Sequence, residues 1–192
     1  THKAYGEFTA ILAGSSLLTL AFEIISDSNV NISNEKKLKI IYALSLCSGH
    51  LGIAGGQFFD LSLKNDMASK DNIINMQNKK TGALMGFCIE VAAILAGKKD
   101  LEEKFRNIGI KMGLLFQIKD DFLDKYGSAD ILGKPTQQDV AKGKNTLIDY
   151  LGEGETKKLM KNLQIEIEKD LKPLPKTNSL ADCMSFIINR KN

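Results

Sequence analysis

Residues 116–124 read Phe-Gln-Ile-Lys-Asp-Asp-Phe-Leu-Asp, so three carboxylates and an amide interrupt an otherwise apolar, helix-like stretch. At about 100° per residue, the polar positions form one stripe: Gln117, Asp120, Asp121 and Asp124. Three carboxylates this close repel one another unless a cation lies among them. Oxygen ligands without His or Cys suit a hard ion such as Mg²⁺, which commonly brings phosphate with it. The stretch therefore predicts a magnesium site for a phosphorylated substrate; the alternative is an ordinary solvated helix face.

A lysine-containing loop follows at residues 132–146. Gly133, Pro135 and Gly143 predict loop rather than helix there. Two Gly-Lys pairs carry Lys134 and Lys144, whose ammonium groups suit a phosphate oxygen. Neither pair fits the P-loop pattern, and lysines in loops are commonly just solvated. The two lysines are therefore candidate phosphate ligands only in combination with the acidic stripe.

A third element lies earlier, at residues 77–86, where Lys80 and Thr81 precede a run that is apolar nearly all round through residue 96. A helix that is apolar on every side is buried, so these two side chains are expected at the mouth of a dry region. Gly82 and Gly86 weaken the helix by about 1 kcal/mol each. They could permit a kink that frees a backbone carbonyl, or they could serve close helix packing.

With these elements the chain resembles the trans-polyprenyl diphosphate synthases, of the bacterial farnesyl diphosphate synthase (geranyltranstransferase) type. The resemblance implies that an allylic diphosphate ionises and that the double bond of isopentenyl diphosphate captures the cation. It further implies Mg²⁺ as cofactor, held by Asp120 and Asp124 with assistance from Asp121. The matching stretches keep the family order: 10–14, 17–23, 55–57 with Asp60, 80–84, 117–124, 133–134 with Asp139, and 143–144.

The same resemblance implies roles for the remaining site residues. Lys80 and Lys134 would contact the allylic diphosphate, and Lys144 would lie near it. Thr81, the Lys80 carbonyl and Gln117 would face the developing cation, where fixed dipoles are an effective stabiliser. A homodimer is implied as well.

The chain also departs from the family pattern. Members carry two aspartate-rich motifs, and the first is followed by an arginine pair. This chain lacks the first motif and the arginine pair, and it contains only two arginines, Arg106 and Arg190. We therefore expect the C-terminal part of a synthase, with the N-terminal helices missing and full activity absent. Ser15-Ser16 and Gln137 also replace common family residues, which leaves a degenerate copy open.

The predicted fold is all-α: a single domain, residues 1–192, built as an antiparallel bundle of long helices of the isoprenoid synthase type. We expect helices near residues 4–26, 35–63, 70–97 and 101–126, with shorter ones near 145–151, 154–171 and 179–190. An apolar content of 43% agrees with one sizeable core.

Composition narrows the partners and the compartment. A net charge of +3 is too small to indicate nucleic acid. No run of about 18 uncharged apolar residues occurs, so no membrane span is expected. Cys47, Cys88 and Cys183 are widely spaced in apolar contexts, which favours buried thiols in a reducing cytoplasm over disulfides or zinc ligands.

Other functions remain to be weighed. A ferritin-like di-iron bundle would need Glu-x-x-His pairs, which are absent. A terpene cyclase is disfavoured because both Gly-Lys pairs follow the elongating enzymes. A non-catalytic truncated or degenerate subunit that binds an intact synthase stays open, as does a geranylgeranyl diphosphate synthase.

Overall fold

The computed structural model describes residues 1–62, 69–127, 146–175 and 177–190. All regular structure in this part of the chain is helical, which confirms the all-α fold class. The elements are α1 (His2–Tyr5), α2 (Glu7–Ser26), α3 (Asn34–Ser48), α4 (Ile53–Ser62), α5 (Lys70–Gln77), a π-helical turn (Asn78–Gly82), α6 (Ala83–Ala96), α7 (Lys99–Tyr126), α8 (Leu147–Leu171) and α9 (Asn178–Asn189).

Internal contacts divide the chain into two units, residues 1–45 and 46–192. In the first unit, no residue of α2 is buried, and large apolar side chains such as Phe8 (86% exposed) face outward. The second unit holds the predicted site residues that the structure describes. The single-domain description stays a prediction.

Helix α7 is the centre of the second unit because it is apolar on more than one side. Towards α8 and α9 it buries Ile108, Met112 and Leu115 in one cluster. Towards α5 and the start of α8 it buries Leu114 and Ile118 in another. Burying side chains of this size is worth about 1.5–3 kcal/mol each, so α7 is anchored along most of its length.

Glycines bring α6 and the π-turn against α7. A Cβ on Gly113 would lie 2.6 Å from Gly82 Cα, and one on Gly109 would lie 2.6 Å from Gly86 Cα. The pairing of 82 with 113 and of 86 with 109 makes the two helices antiparallel. Of the two alternatives for Gly86, close packing is the one observed.

A similar contact ties α4 to the π-turn. A Cβ on Gly56 would lie 2.3 Å from the backbone nitrogen of Lys80. No side chain fits between these backbones, so α4 is held directly against the turn.

Two predicted helices were wrong in their boundaries, and one predicted break was confirmed. The expected helix 4–26 is interrupted at Gly6, which has a φ of 84°. The expected helix 35–63 is broken by a turn in which Gly52 N donates to Gly49 O at 3.0 Å. The expected break between 145–151 and 154–171 is confirmed, because the backbone leaves helical geometry at Gly152, with a φ of 78°, and divides α8 into two helical stretches. Left-handed φ values at glycine explain the first and the last.

The cysteines were only partly predicted. All three are free thiols, as expected, and Cys47 is buried, but Cys88 and Cys183 are exposed. Burial raises the pKa of Cys47 to about 11, with smaller contributions from Cys88 and Glu90. The apolar sequence around Cys88 and Cys183 did not reveal that they lie on the outward faces of α6 and α9.

By length and composition alone, α2 and the segment 34–62 are apolar enough to span a membrane. The same composition occurs in core helices and in signal sequences, so it is weak support for a span. Helix α2 carries Glu7 and Glu23 near its two ends, and the uncharged run between them is shorter than a typical span.

Candidate active site

The predicted site begins at the π-turn between α5 and α6. Its five residues widen the helix at the position where the sequence suggested a kink. Single π-helical turns inside α-helices are frequent at functional sites. Lys80 and Thr81 both lie in this turn and are partly buried, so the irregular backbone and the two predicted polar side chains coincide.

Thr81, Gln117 and Asp121 form a chain of hydrogen bonds between the π-turn and α7. Thr81 Oγ1 donates to Gln117 Oε1 at 3.3 Å. Gln117 Nε2 donates to Asp121 Oδ1 at 3.0 Å. The two bonds fix the orientation of the Gln117 amide and place three predicted site residues together.

Lys80 is held by a carboxylate from α4. Its Nζ lies 2.5 Å from Asp60 Oδ2, and the Asp60 side chain is only 8% exposed. The sequence matched Asp60 to the family pattern, but it did not identify Asp60 as the partner of Lys80. The Gly56 contact brings the two helical segments close enough for this pair.

The acidic stripe of α7 lies inside the protein rather than on a solvated face. Asp121 is 4% exposed and Asp124 is 7% exposed. The Asp120 side chain is the most open of the three at 35%. The alternative of a simply solvated helix face is therefore wrong for Asp121 and Asp124.

Arg190, just past the end of α9, contacts the stripe from a distant part of the sequence. Its Nη2 donates to Phe116 O at 3.1 Å and to Asp120 Oδ1 at 3.3 Å. The guanidinium carbon lies 3.9 Å from the centre of the Phe116 ring. Sequence reasoning missed this residue; the available signal was that it is one of two arginines in a lysine-rich chain.

The guanidinium also acts on its lysine neighbour. Burial lowers the pKa of Lys119, and the positive charge of Arg190 lowers it further. Arg190 is therefore close to both Lys119 and Asp120 on α7. The end of α9 thus contributes positive potential beside the acidic stripe.

The donor chemistry of the stripe fits magnesium in part. Asp120 and Asp124 lie one helical turn apart and offer hard oxygen atoms, and Mg²⁺ is often bound by one or two carboxylates with water and substrate phosphate completing the shell. One oxygen of Asp121 already accepts a hydrogen bond from Gln117 Nε2, which suits an assisting role. Within the described residues, no group of three or more His, Cys, Asp or Glu side chains could hold a metal.

Two predicted site residues cannot be compared with the others. Lys134 and Lys144 lie outside the described residues. Their assignment as diphosphate ligands stays a prediction.

Comparison with known proteins gives consistent matches. The family model described as Polyprenyl synthetase matches residues 1–176. The farnesyl diphosphate synthase of Micrococcus luteus is 36% identical over 191 residues, which is 98% of this chain and 65% of that protein. Geranylgeranyl pyrophosphate synthase 4 of Arabidopsis thaliana is 34% identical over 199 residues, 100% of this chain and 53% of that protein.

Solved structures agree with the sequence matches. The geranyltransferase of Helicobacter pylori, complexed with magnesium and isoprenyl diphosphate, superposes with a TM-score of 0.81 at 29% identity, covering 98% of this chain and 62% of that one. The chain thus spans between about half and two thirds of the length of the proteins that it matches.

Proposed function

The chain belongs to the polyprenyl synthetase family, and from that premise we propose that it serves head-to-tail prenyl transfer in isoprenoid biosynthesis. The substrates are an allylic diphosphate (dimethylallyl or geranyl) and isopentenyl diphosphate, and the product is farnesyl diphosphate. The allylic C–O bond breaks and diphosphate leaves with the electron pair. The double bond of isopentenyl diphosphate forms the new C–C bond, and loss of a proton completes the product.

The observation that carries this proposal is the arrangement around the π-turn. Lys80, paired with the buried Asp60, supplies a positive charge for a diphosphate oxygen. Beside it, Thr81 Oγ1 and the Gln117 amide are held by the hydrogen bonds described above. Their fixed oxygen dipoles would stabilise the positive charge that develops on the allylic carbon. The leaving diphosphate would thus meet a positive charge, and the allylic carbon would face oxygen dipoles.

We assign metal binding to Asp120 and Asp124, with Asp121 assisting. When bound, Mg²⁺ neutralises the leaving diphosphate. The protein's own contribution is to hold these carboxylates in a largely buried setting, where electrostatic interactions are stronger than in water. Lys134 and Lys144 complete the proposal as further diphosphate ligands.

The proposal extends to assembly and compartment. We propose a homodimer in the cytoplasm, in line with the family and with three free thiols. The exposed apolar side chains of α2 support the homodimer, because large exposed apolar patches commonly mark surfaces that contact another protein.

Two alternatives differ in product or in activity. Relatives include farnesyl and geranylgeranyl synthases, so a geranylgeranyl diphosphate synthase is the alternative for product length. The departures from the family pattern at Ser15-Ser16 and Gln137 support, as second candidate, a non-catalytic subunit that binds an intact synthase.

A thermal melt tests the proposed site directly. We expect Mg²⁺ and inorganic diphosphate together to raise the midpoint, because a ligand that binds only the folded state stabilises it. Asp120→Asn should abolish the rise, whereas Asp182→Asn, an exposed aspartate of α9, should keep it. An unchanged midpoint in the unsubstituted chain would contradict a working diphosphate site and favour the non-catalytic subunit.

A further inference from the structure

The contact between Arg190 and Asp120 bears on how the metal site is loaded. A single nitrogen, Nη2, is shared between the Phe116 carbonyl and Asp120 Oδ1. The bond to the carboxylate is therefore monodentate. Without a metal, part of the negative charge of Asp120 is balanced by this guanidinium.

We propose that Arg190 is a built-in counter-ion that competes with the divalent cation for Asp120, and so couples the end of α9 to metal occupancy. The inference rests on the proposed function, because it takes Asp120 as a metal ligand. It adds that binding the metal weakens the contact between Arg190 and Asp120, and that this contact in turn weakens metal binding.

The burial of the two side chains supports this order of events. The Arg190 side chain is 9% exposed, whereas that of Asp120 is 35% exposed. The guanidinium is thus fixed from the protein side by the Phe116 carbonyl and ring, while the carboxylate opens to where a hydrated ion would arrive. An entering cation meets a positive charge that is already in place behind its ligand.

Arg190 is also incompletely satisfied where it lies. Its Nε is buried without a hydrogen-bond partner among the described residues. A buried, unpaired donor costs free energy, so the guanidinium has bonding capacity to regain if it shifts. The contact with Asp120 is consequently one that a competing cation can displace.

The sign of the effect separates competition from a positioning role. The guanidinium and a metal ion bound to the same carboxylate repel each other, and a divalent ion is repelled twice as strongly as a monovalent one at the same distance. If competition dominates, removing the guanidinium tightens metal binding. If Arg190 mainly orients Asp120, removing it weakens metal binding.

Direct titration with Mn²⁺, followed by electron paramagnetic resonance, tests this without turnover. We expect Arg190→Gln to lower the Mn²⁺ dissociation constant about tenfold. Arg190→Lys keeps the charge but loses the planar stacking on Phe116. Its Mn²⁺ dissociation constant should lie between those of the unsubstituted chain and Arg190→Gln. Lys161→Gln, which removes one exposed positive charge from α8, controls for net charge and should change the constant by less than about twofold.

Reciprocity gives a second readout on the unsubstituted chain. If metal and Arg190 compete, saturating Mg²⁺ must loosen the end of α9, so amide exchange at residues 186–189 should accelerate. Unchanged exchange there, or an unchanged or raised Mn²⁺ dissociation constant in Arg190→Gln, would overturn the inference. Arg190→Lys keeps the test informative if the glutamine variant does not fold.

Failure of the inference is distinguishable from failure of the proposed function. If Asp120→Asn weakens Mn²⁺ binding but Arg190→Gln leaves it unchanged, the metal site stands and only the competition is refuted. If Asp120→Asn binds Mn²⁺ as well as the unsubstituted chain, Asp120 is not a ligand, and both proposals are overturned.

Discussion

Lys80 Nζ lies 2.5 Å from Asp60 Oδ2, across the contact between the π-turn and α4. The carboxylate is nearly inaccessible, whereas the lysine side chain is 26% exposed. The ammonium group is therefore anchored on its protein side and open on the other. This is the geometry expected of a lysine that receives an anion without moving far.

The first prediction concerns the energy of this pair. Asp60→Asn should destabilise the fold by about 1–3 kcal/mol, because a partly buried ammonium loses its counter-charge. Lys80→Met should cost a similar amount, since it removes the same ion pair from the less exposed carboxylate. In the double variant, the loss in free energy of unfolding should be smaller than the sum of the two single losses by about 1–2 kcal/mol, as measured by urea denaturation. Full additivity would show that the two groups do not interact energetically.

The second prediction concerns the glycine contact that holds the π-turn against α7. Gly113→Ala should destabilise by more than about 2 kcal/mol, since the new Cβ would lie 2.6 Å from Gly82 Cα. Gly154→Ala is the matched control, because no atom lies within 4 Å of its Cβ. Alanine there should be neutral or stabilise by up to about 1 kcal/mol. Equal effects in chemical denaturation would refute the close approach.

The third prediction concerns thiol reactivity. Burial raises the pKa of Cys47 to about 11, so at pH 8 its reactive thiolate is about a thousandth of the total. Burial also raises the pKa of Cys88, although this side chain is exposed. With a disulfide reagent we expect Cys183 to react first, Cys88 next and Cys47 last. The rate at Cys47 should rise about tenfold per pH unit up to pH 11.

The three thiols should give three kinetic phases with the disulfide reagent. Replacing each cysteine in turn by serine shows which thiol gives which phase. Loss of the slowest phase in Cys47→Ser is the expected result. If instead that variant loses the fastest phase, the burial of Cys47 is contradicted. Denaturant should bring all three thiols to similar rates.

Local patterns in the sequence predicted the helices and the acidic stripe, since both follow from the periodicity of neighbouring residues. The π-turn was only suggested, by Gly82 and Gly86, because its geometry depends on how α6 packs on α7. Arg190 could not be placed, because its contact with Asp120 joins positions 70 residues apart. The same limit applies to the pairing of Asp60 with Lys80, which joins positions 20 residues apart on two helical segments.

The break between α3 and α4 was missed for a different reason. The glycines near residue 50 are compatible with close helix packing and with a turn, and local sequence does not separate the two. The structure combines both: the chain turns between Gly49 and Gly52, and Gly56 then packs on Lys80. One glycine-rich segment thus serves two purposes.

The fourth prediction concerns turnover. The 192-residue chain alone should give no detectable product from geranyl and isopentenyl diphosphates, because the proposed metal ligands all come from α7 and the sequence contains no second aspartate-rich motif. In a longer protein that is active, Asp120→Ala should lower kcat by several powers of ten. Robust Mg²⁺-dependent transfer by this chain would refute its expected inactivity, and a mild effect of Asp120→Ala would contradict the metal-binding role assigned to Asp120.

The fifth prediction concerns Gln117, whose amide joins Thr81 to Asp121. Gln117→Glu replaces the donor with a carboxylate oxygen beside Asp121, which is 4% exposed. Like charges at short range in a buried setting repel strongly, so we expect a loss of about 2–3 kcal/mol in stability. The loss should shrink at low pH, where the added carboxylate is protonated and can donate again.

Helix α8 offers a matched control for this substitution. Gln164 Nε2 donates to Glu168 Oε1 at 2.8 Å, again four residues apart, but on an exposed face. Gln164→Glu therefore creates the same pair of carboxylates in water, where screening keeps the cost below about 0.5 kcal/mol. A large loss at Gln117 with a small one at Gln164 would locate the effect in burial. Similar small losses at both positions would mean that the acidic stripe is solvated, and the diphosphate site built on it would then have to be abandoned.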